Sequence, residues 1–281
     1  SDKSSFNGRK LNRNLIPAMS HAEFQNHYGP VALVTGASSG IGKSFAQLLA
    51  ARGLDLVLVA RRVERLEALA SRLQGDHDIE VTVCQADLCE RMAAAQILEA
   101  TLSLDIGLII SNAGFGVKGE YASGDAGTLA DMLMVNCNTP MLLAHGFLPR
   151  LRARCKGGII FTSSVEGLIP CPFSTAYAAT KGFLNSLGQG LWGELAQEEI
   201  DVLTLCPGAT DTEALVLQGI DPSTLDDVMT PDEVAELTLA HIKNGPVYIP
   251  SAHYEAMFDA LLSMPRGDAL LAMADNMKQE I

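Results

Sequence analysis

A tyrosine and a lysine in the second half of the chain have the spacing of a proton-transfer pair. Tyr177 and Lys181 are four residues apart, so on a helix they lie on the same face, one turn from each other. A free tyrosine has a pKa of about 10 and is a poor base at neutral pH, whereas a neighbouring ammonium favours the phenolate and lowers that pKa. Ser164 precedes Tyr177 by thirteen residues and follows an apolar, strand-like run. We therefore expect these three side chains to form a site for acid–base chemistry.

A glycine-rich loop near the start of the chain favours a nucleotide phosphate as ligand. Residues 35–42 have the sequence Thr-Gly-Ala-Ser-Ser-Gly-Ile-Gly and lead into an apolar helix. Gly36, Gly40 and Gly42 let the backbone turn tightly and approach a pyrophosphate. The N-terminus of the following helix offers free N–H groups and the favourable end of the helix dipole. The segment is therefore typical of a dinucleotide-binding loop.

The same segment also allows a second interpretation, as the P-loop of an NTPase. Residues 37–44 satisfy a relaxed P-loop pattern, with Lys43 and Ser44 in the usual places. However, Ala37 stands where that pattern has its first glycine. The nearest aspartate that could follow a strand and hold Mg²⁺ is Asp87. The loop by itself leaves both interpretations open.

The elements that must position these residues alternate regularly between strand and helix. Apolar, β-branched runs predict about seven strands, at 31–35, 54–60, 80–84, 107–111, 158–162, 201–206 and 247–249. Helical stretches are predicted between them, at 41–52, 62–74, 90–102, 127–153, 175–198 and 231–243. This alternation predicts an α/β fold with a doubly wound parallel sheet in a single domain, residues 30–281. Residues 1–29 are polar and are set aside as an extension that is flexible or vector-derived.

Composition excludes several classes of function. The formal charge is -13 without a basic patch, so we expect no nucleic-acid partner and no attraction to anionic lipid. No apolar stretch approaches the roughly 20 residues of a membrane-spanning helix, so we expect no membrane insertion. The six cysteines are scattered without a C-x-x-C pair, which favours a reduced, cytoplasmic protein. The six histidines lack ligand spacing, so no metal site is expected.

From residue 31 to about 250 the sequence resembles the short-chain dehydrogenase/reductase family. The resemblance rests on motifs in a fixed order, which are the loop 35–42, Asp87, Asn112-Ala113-Gly114, Asn136, Ser164, Tyr177-Ala178-Ala179-Thr180-Lys181, Pro207-Gly208 and Thr212. No NTPase family predicts this set. The resemblance implies a Rossmann fold and an oxidoreductase that interconverts a ketone or aldehyde and an alcohol by hydride transfer.

The resemblance also assigns roles to the matching residues. Ser164 would polarise the substrate oxygen, Tyr177 would act as general acid/base, and Lys181 with a water held by Asn136 would relay the replacement proton. Ser163 should point to the opposite face of its strand and only pack. The residues implied to contact the cofactor are Gly36, Ser38, Ser39, Gly40, Ile41, Gly42, Arg61, Asp87, Leu88, Asn112, Ala113, Gly114, Tyr177, Lys181, Pro207, Gly208, Thr210 and Thr212.

The end of the second predicted strand indicates which dinucleotide is used. Members of this family that prefer NAD carry an acidic residue at about position 60, which accepts hydrogen bonds from the ribose 2′-hydroxyl. Here Ala60 occupies that place and Arg61 follows. A guanidinium suits a 2′-phosphate because it donates bidentate hydrogen bonds and stays charged. We therefore predict NADP(H) as cofactor, with Arg61 as the phosphate ligand and Arg62 as an ordinary solvated residue at a helix start.

The sequence defines the substrate and the oligomeric state less closely than it defines the reaction. The sequence is similar to 3-oxoacyl reductases and hydroxysteroid dehydrogenases, which implies a small, lipophilic carbonyl or alcohol substrate. Residues 115–121 and 209–229 should line its pocket. Family members pair the helices predicted at 127–153 and 175–198, so a homodimer or homotetramer is expected. The segment 253–281 could complete a pocket, an interface or the core. The alternative function is a catalytically silent, NADP(H)-binding regulatory protein.

Overall fold

The computed structural model describes residues 19–218 and 220–280, which form one seven-stranded sheet with helices on both faces. All strand pairs are parallel, in the order β3-β2-β1-β4-β5-β6-β7. The strands are β1 (Val31–Thr35), β2 (Asp55–Ala60), β3 (Val81–Gln85), β4 (Ile106–Ser111), β5 (Gly157–Thr162), β6 (Ile200–Leu205) and β7 (Val247–Tyr248). The predicted doubly wound α/β fold is confirmed, with each predicted strand present to within a residue or two.

The strands form because their apolar runs are nearly continuous and can be buried on both faces. Every residue of β1, β4 and β5 is buried. The helices beside the sheet are α2 (Gly40–Ala51), α3 (Val63–Asp76), α4 (Ala93–Ala100), α5 (Ala126–Leu133), α6 (Thr139–Arg154), α7 (Thr175–Glu194) and α9 (Pro231–Ala240). A short helix, α8 (Glu213–Leu217), lies in the connection after β6 and buries none of its residues. One apolar cluster joins the sheet to α2, α3 and α9, and a second joins it to α4, α6 and α7. The strand order reverses between β1 and β4, and ligands bind at the carboxyl ends of the strands at such a point.

The helix predicted at 127–153 is interrupted. A π-helical segment, Met134–Asn138, separates α5 from α6. Such a segment inserts one extra residue per turn and is frequent at functional sites. It buries Asn136 completely beneath the loop that follows β4.

Part of the predicted N-terminal extension belongs to the fold. Residues His21–Tyr28 form a helix, α1, which begins with a capping box between Ser20 and Glu23. Phe24 and Tyr28 are buried, and the Tyr28 hydroxyl donates to Asp201 Oδ2 at 2.7 Å. Setting this part of the extension aside was therefore wrong. Residues 1–18 lie outside the described residues.

The C-terminal segment forms two helices at the carboxyl end of the sheet. These are α10 (Ala252–Ser263) and α11 (Arg266–Glu280). Phe258 and Met273 join a third apolar cluster with residues that follow β5. The ring of Tyr254 lies so close to Gly208 that a Cβ there would be 2.1 Å from a ring carbon. Along the described residues, no helix is both long enough and apolar enough to cross a bilayer.

Candidate active site

The structure brings Ser164, Tyr177 and Lys181 together at the carboxyl end of β5. Ser164 begins a short 3-10 turn, Val165–Gly167, and its hydroxyl is close enough to the Tyr177 phenol to lower the pKa of that phenol. Tyr177 lies in the first turn of α7 and Lys181 one turn later. The Lys181 Nζ is 5.5 Å from the centre of the Tyr177 ring and donates to the Thr162 carbonyl at 2.8 Å. The three side chains that the spacing singled out therefore share one site.

The hydroxyl of Ser164 is oriented by the peptide group of Glu166. The Glu166 N–H donates to Ser164 Oγ at 3.1 Å. Because this bond occupies a lone pair of the oxygen, the hydroxyl proton can be donated to another group. The neighbouring Ser163 has a different role, since its hydroxyl is buried and donates to the Lys181 carbonyl at 2.9 Å. Its predicted packing role agrees with this contact.

Burial changes the proton affinities of both members of the pair. Burial raises the pKa of Tyr177 well above its usual value, and the nearby Glu166 carboxylate raises this pKa further, whereas the hydrogen bond to Ser164 lowers it. Burial lowers the pKa of Lys181 from 10.5 to about 8. The direction for Tyr177 is opposite to the one expected from the sequence, because desolvation of the buried phenol is the largest influence on its pKa and the Glu166 carboxylate acts in the same direction. A phenol with a raised pKa remains protonated and can serve as an acid.

Asn136 has its side-chain amide fully engaged by its neighbours. Its Nδ2 donates to the Phe115 carbonyl at 2.8 Å and to Thr180 Oγ1 at 2.9 Å, and its Oδ1 accepts from the Phe115 N–H at 3.1 Å. The π-helical segment places this amide between α7 and the loop after β4. Asn138, two residues further along the chain, is only partly buried. The geometry therefore favours Asn136 as the residue that positions the loop beside the site.

The glycine-rich loop lies at the carboxyl end of β1 and requires glycine for steric reasons. Gly36 and Gly40 have φ angles of 68° and 52°, in the left-handed region. A Cβ on Gly42 would be 2.3 Å from the Gly36 carbonyl oxygen and 2.6 Å from Asn112 Nδ2. The loop is fastened to β4 through Thr35, whose Oγ1 accepts from the N–H groups of Asn112 and Ala113 at 2.9 and 3.0 Å.

The N-terminus of α2 at the end of this loop is a suitable phosphate site. The first N–H groups of a helix lack intrahelical partners, and here these belong to Gly40, Ile41 and Gly42. Lys43 is exposed, and the Ser44 hydroxyl is buried and donates to Asp232 Oδ1 at 2.5 Å. A P-loop serine must instead face Mg²⁺, so the NTPase interpretation is wrong.

The other predicted cofactor residues lie at carboxyl ends of neighbouring strands. Asp87 and Leu88 follow β3, Asn112, Ala113 and Gly114 follow β4, and Pro207, Gly208, Thr210 and Thr212 follow β6. Asp87 is exposed and its Oδ1 accepts from the Cys89 N–H at 3.0 Å. A Cβ on Gly40 would lie 3.1 Å from the Thr212 methyl group, so the loops after β1 and β6 touch. These residues therefore gather at one edge of the sheet, beside the glycine-rich loop.

The arginine that reaches the glycine-rich loop is Arg62 rather than Arg61. The Arg62 guanidinium donates to Ser38 Oγ at 3.0 Å and to Ser39 Oγ at 2.8 Å. It also forms an ion pair at 2.8 Å with Glu213, the first residue of α8. The expectation that Arg62 is merely solvated was wrong, because the strand end turns its side chain toward the loop. The sequence could not distinguish two adjacent arginines.

Two charged residues border the same site: Lys118, from the predicted pocket segment 115–121, and Glu166, which sequence reasoning missed. Glu166 stands two residues after Ser164, and Lys118 comes from the loop after β4. Glu166 Oε1 is 3.8 Å from Lys118 Nζ, and the two side chains are only 19% and 8% exposed. The signal in the sequence was a single charged residue in an otherwise small and apolar stretch, Ser164-Val165-Glu166-Gly167-Leu168.

Comparison with known proteins decides the family. Residues 30–219 match the family model described as short chain dehydrogenase. The chain belongs to the short-chain dehydrogenase family. It is therefore an oxidoreductase of a family that acts on carbonyl and alcohol groups, and the resemblance noted in its sequence is confirmed.

Individual relatives of this short-chain dehydrogenase differ in what they do. It is 35% identical over 212 residues to a 7beta-hydroxysteroid dehydrogenase of Clostridium sardiniense, covering 75% of this chain and 81% of the relative. It is 32% identical over 196 residues to a human protein named inactive hydroxysteroid dehydrogenase-like protein 1, covering 68% of this chain and 59% of the relative. A solved short-chain dehydrogenase from Sphingobium yanoikuyae in complex with NADPH has a TM-score of 0.76 and 39% identity, covering 83% of this chain and 92% of that one.

Proposed function

We propose that this short-chain dehydrogenase is an NADP(H)-dependent enzyme that interconverts a ketone or aldehyde and an alcohol by hydride transfer. The observation that carries the proposal is the convergence of Ser164, Tyr177 and Lys181 beside the glycine-rich loop. A hydroxyl, a protonated phenol and a buried ammonium at one point supply what reduction of a carbonyl requires from the protein.

The residues present fit a dinucleotide. Gly42 has no room for a Cβ beside the Gly36 carbonyl, and α2 begins with free N–H groups at the carboxyl end of β1. We assign the pyrophosphate to this helix end. When bound, the cofactor supplies the hydride that adds to the carbonyl carbon of the substrate.

The side chains of the site carry out the remaining steps of the reaction. Ser164 donates its proton in a hydrogen bond to the substrate oxygen, because the Glu166 N–H already occupies a lone pair of Ser164 Oγ. Tyr177 gives its proton to that oxygen as the alkoxide develops, and its raised pKa keeps it protonated beforehand. Lys181, held by the Thr162 carbonyl, stabilises the phenolate left behind and supplies a replacement proton. Asn136, whose side-chain amide is engaged by Phe115 and Thr180, holds the loop after β4 in place beside the site.

Preference for NADP(H) over NAD(H) is part of the proposal. Ala60 ends β2 where an acidic side chain would repel a phosphate. Arg62 lies on Ser38 and Ser39, and Arg61 is exposed at the same strand end. A 2′-phosphate between these groups would take charge-assisted hydrogen bonds, to which Arg61 would contribute by turning inward. The NADPH complex of the Sphingobium relative supports this choice.

A lipophilic substrate, homo-oligomeric assembly and a cytoplasmic location complete the proposal. The hydroxysteroid activity named for the Clostridium relative supports an apolar substrate. Leu133, Met141 and Phe183 are exposed on α5, α6 and α7, a face that a second copy could cover to give a dimer or tetramer. The six free cysteines agree with a reducing compartment.

A catalytically silent, NADP(H)-binding regulator is the second candidate. The named inactivity of the human relative favours it. The presence of Ser164, Tyr177 and Lys181 in contact favours the enzyme.

Transfer of label from cofactor to substrate distinguishes the two. The protein is incubated with NADPH deuterated at the transferable position and a panel of ketones, aldehydes and steroids. An enzyme places deuterium on the carbinol carbon of a product alcohol. Tight NADPH binding with no labelled alcohol from any carbonyl would favour the regulator, and labelled product from NADH in preference to NADPH would contradict the cofactor assignment.

A further inference from the structure

The ion pair of Glu166 and Lys118 has no role in the chemistry described so far. Glu166 stands at the 3-10 turn after β5, and Lys118 stands on the loop after β4. The two loops meet over the catalytic tyrosine, since a Cβ on Gly116 would lie 2.7 Å from a Tyr177 ring carbon. The pair therefore joins two loops that lie beside the reacting phenol.

One oxygen of Glu166 has no hydrogen-bond donor. Its Oε1 faces Lys118 Nζ, but Oε2 is buried and no group of the described residues donates to it. A buried acceptor without a donor is costly, so such a group in a folded protein requires an explanation. A ligand that brings its own donor would remove the cost when it binds.

The position of Glu166 ties that ligand to the reacting group. The Glu166 N–H donates to Ser164 Oγ at 3.1 Å. The backbone of Glu166 therefore contacts the hydroxyl that is proposed to hold the substrate oxygen, and its carboxylate is separated from that contact only by the length of its own side chain. The carboxylate is also close enough to Tyr177 and Lys181 to raise the pKa of both. A donor that reaches Oε2 must therefore lie near the carbonyl of the substrate.

We propose that Glu166 Oε2 accepts a hydrogen bond from a hydroxyl group near the reacting carbonyl, so that the substrates are neutral hydroxy ketones and the corresponding diols. This rests on the proposed reductase function. Lys118 already balances the charge of Glu166, so a neutral donor is the ligand that adds no unpaired charge to this largely buried pair. In the reaction, hydride adds to the carbonyl carbon, the π electrons of the C=O bond move to oxygen, and that oxygen takes the proton of Tyr177. The second hydroxyl is not consumed.

Matched pairs of ketones test this selection. α-Hydroxyacetophenone and propiophenone differ by a hydroxyl in place of a methyl group, and β-hydroxypropiophenone and butyrophenone repeat the exchange one carbon further out. The kcat/KM of each is measured with NADPH for the wild type and for Glu166→Gln, which keeps the shape but removes the charge. Glu99→Gln, on the exposed surface of α4, is the control for the same loss of charge.

Because a hydrogen bond to a charged group is strong, we expect the kcat/KM of the wild type for the hydroxy ketone of at least one pair to exceed that for its partner ketone by about 10- to 100-fold. The ratio of kcat/KM for the hydroxy ketone to kcat/KM for its partner ketone should fall about 10-fold in Glu166→Gln and stay unchanged in Glu99→Gln. A wild-type ratio below about fivefold in both pairs overturns the inference, and so does a ratio that survives in Glu166→Gln. If all four ketones are inert, the inference fails. The deuterium-transfer panel then shows separately whether the reductase function fails with it.

Discussion

Replacing Lys181 by methionine should stabilise the cofactor-free protein at neutral pH. Burial lowers the pKa of this lysine from 10.5 to about 8, which corresponds to about 3 kcal/mol of destabilisation of the folded charged form. Methionine has a similar length and carries no charge, but it leaves the Thr162 carbonyl without its donor. That loss costs about 1 kcal/mol. The free energy of unfolding of Lys181→Met should therefore exceed that of the wild type by about 2 kcal/mol at pH 7.

The stability advantage of Lys181→Met over the wild type should disappear as the pH rises. Between about pH 8 and 10.5 the unfolded chain binds more protons at Lys181 than the folded chain does, so the wild type gains stability relative to the variant. The difference should fall to near zero by about pH 10. The difference in the free energy of unfolding is measured at pH 7 and pH 10 by urea denaturation, monitored through the fluorescence of the single tryptophan, Trp192. Lys43→Met, on an exposed position of α2, should show no such change with pH. A variant that is less stable at pH 7, or a difference that is equal at both pH values, would refute the reasoning.

Three further predictions concern cofactor, loop and assembly. Arg62→Ala should lower the ratio of kcat/KM for NADPH to that for NADH by about 10- to 100-fold, because it removes charge-assisted hydrogen bonds, whereas the exposed Arg72→Ala should leave the ratio unchanged. Gly42→Ala should abolish NADPH binding in a fluorescence titration, since its Cβ would lie 2.3 Å from a backbone oxygen of the loop. Gly75→Ala, where no described atom lies within 4 Å, should instead raise stability by about 0.4–1 kcal/mol in urea unfolding. Phe183→Asp should convert the proposed oligomer to a monomer in size-exclusion chromatography with light scattering, and an unchanged mass would contradict the assigned interface.

The sheet could be predicted from the sequence because burial on both faces leaves a strong local signal. Runs such as β4 (Ile106–Ser111) are buried throughout and apolar up to their last residue, so both the strands and their order of appearance were evident. The helix at His21–Tyr28 was missed although its capping box, Ser20 to Glu23, is visible in the sequence. Its two buried rings are separated by polar residues, and the hydrophobic signal of so short a helix is weak.

The residues of the candidate site were predictable in identity but not in environment. The spacing of Tyr177 and Lys181 defines a common helix face, whatever the rest of the fold. The pKa of Tyr177 depends on how deeply the phenol is buried and on Glu166, which approaches from another loop. Likewise, adjacent arginines after β2 have the same chemistry, and only the turn of the backbone brings Arg62 onto Ser38 and Ser39. Contacts between distant loops leave no periodic pattern in a sequence.

Tyr177→Phe tests the central assignment most directly. The variant removes only the hydroxyl that is proposed to donate the proton, while the ring can keep its contact with Gly116. NADPH binding is measured by fluorescence titration, and single-turnover oxidation of NADPH is measured with the best carbonyl substrate of the panel. The account predicts nearly unchanged NADPH affinity and a rate of hydride transfer reduced by about 100- to 10,000-fold, the usual contribution of a positioned general acid. A variant that binds NADPH normally and reduces the carbonyl at a rate close to that of the wild type would contradict the account.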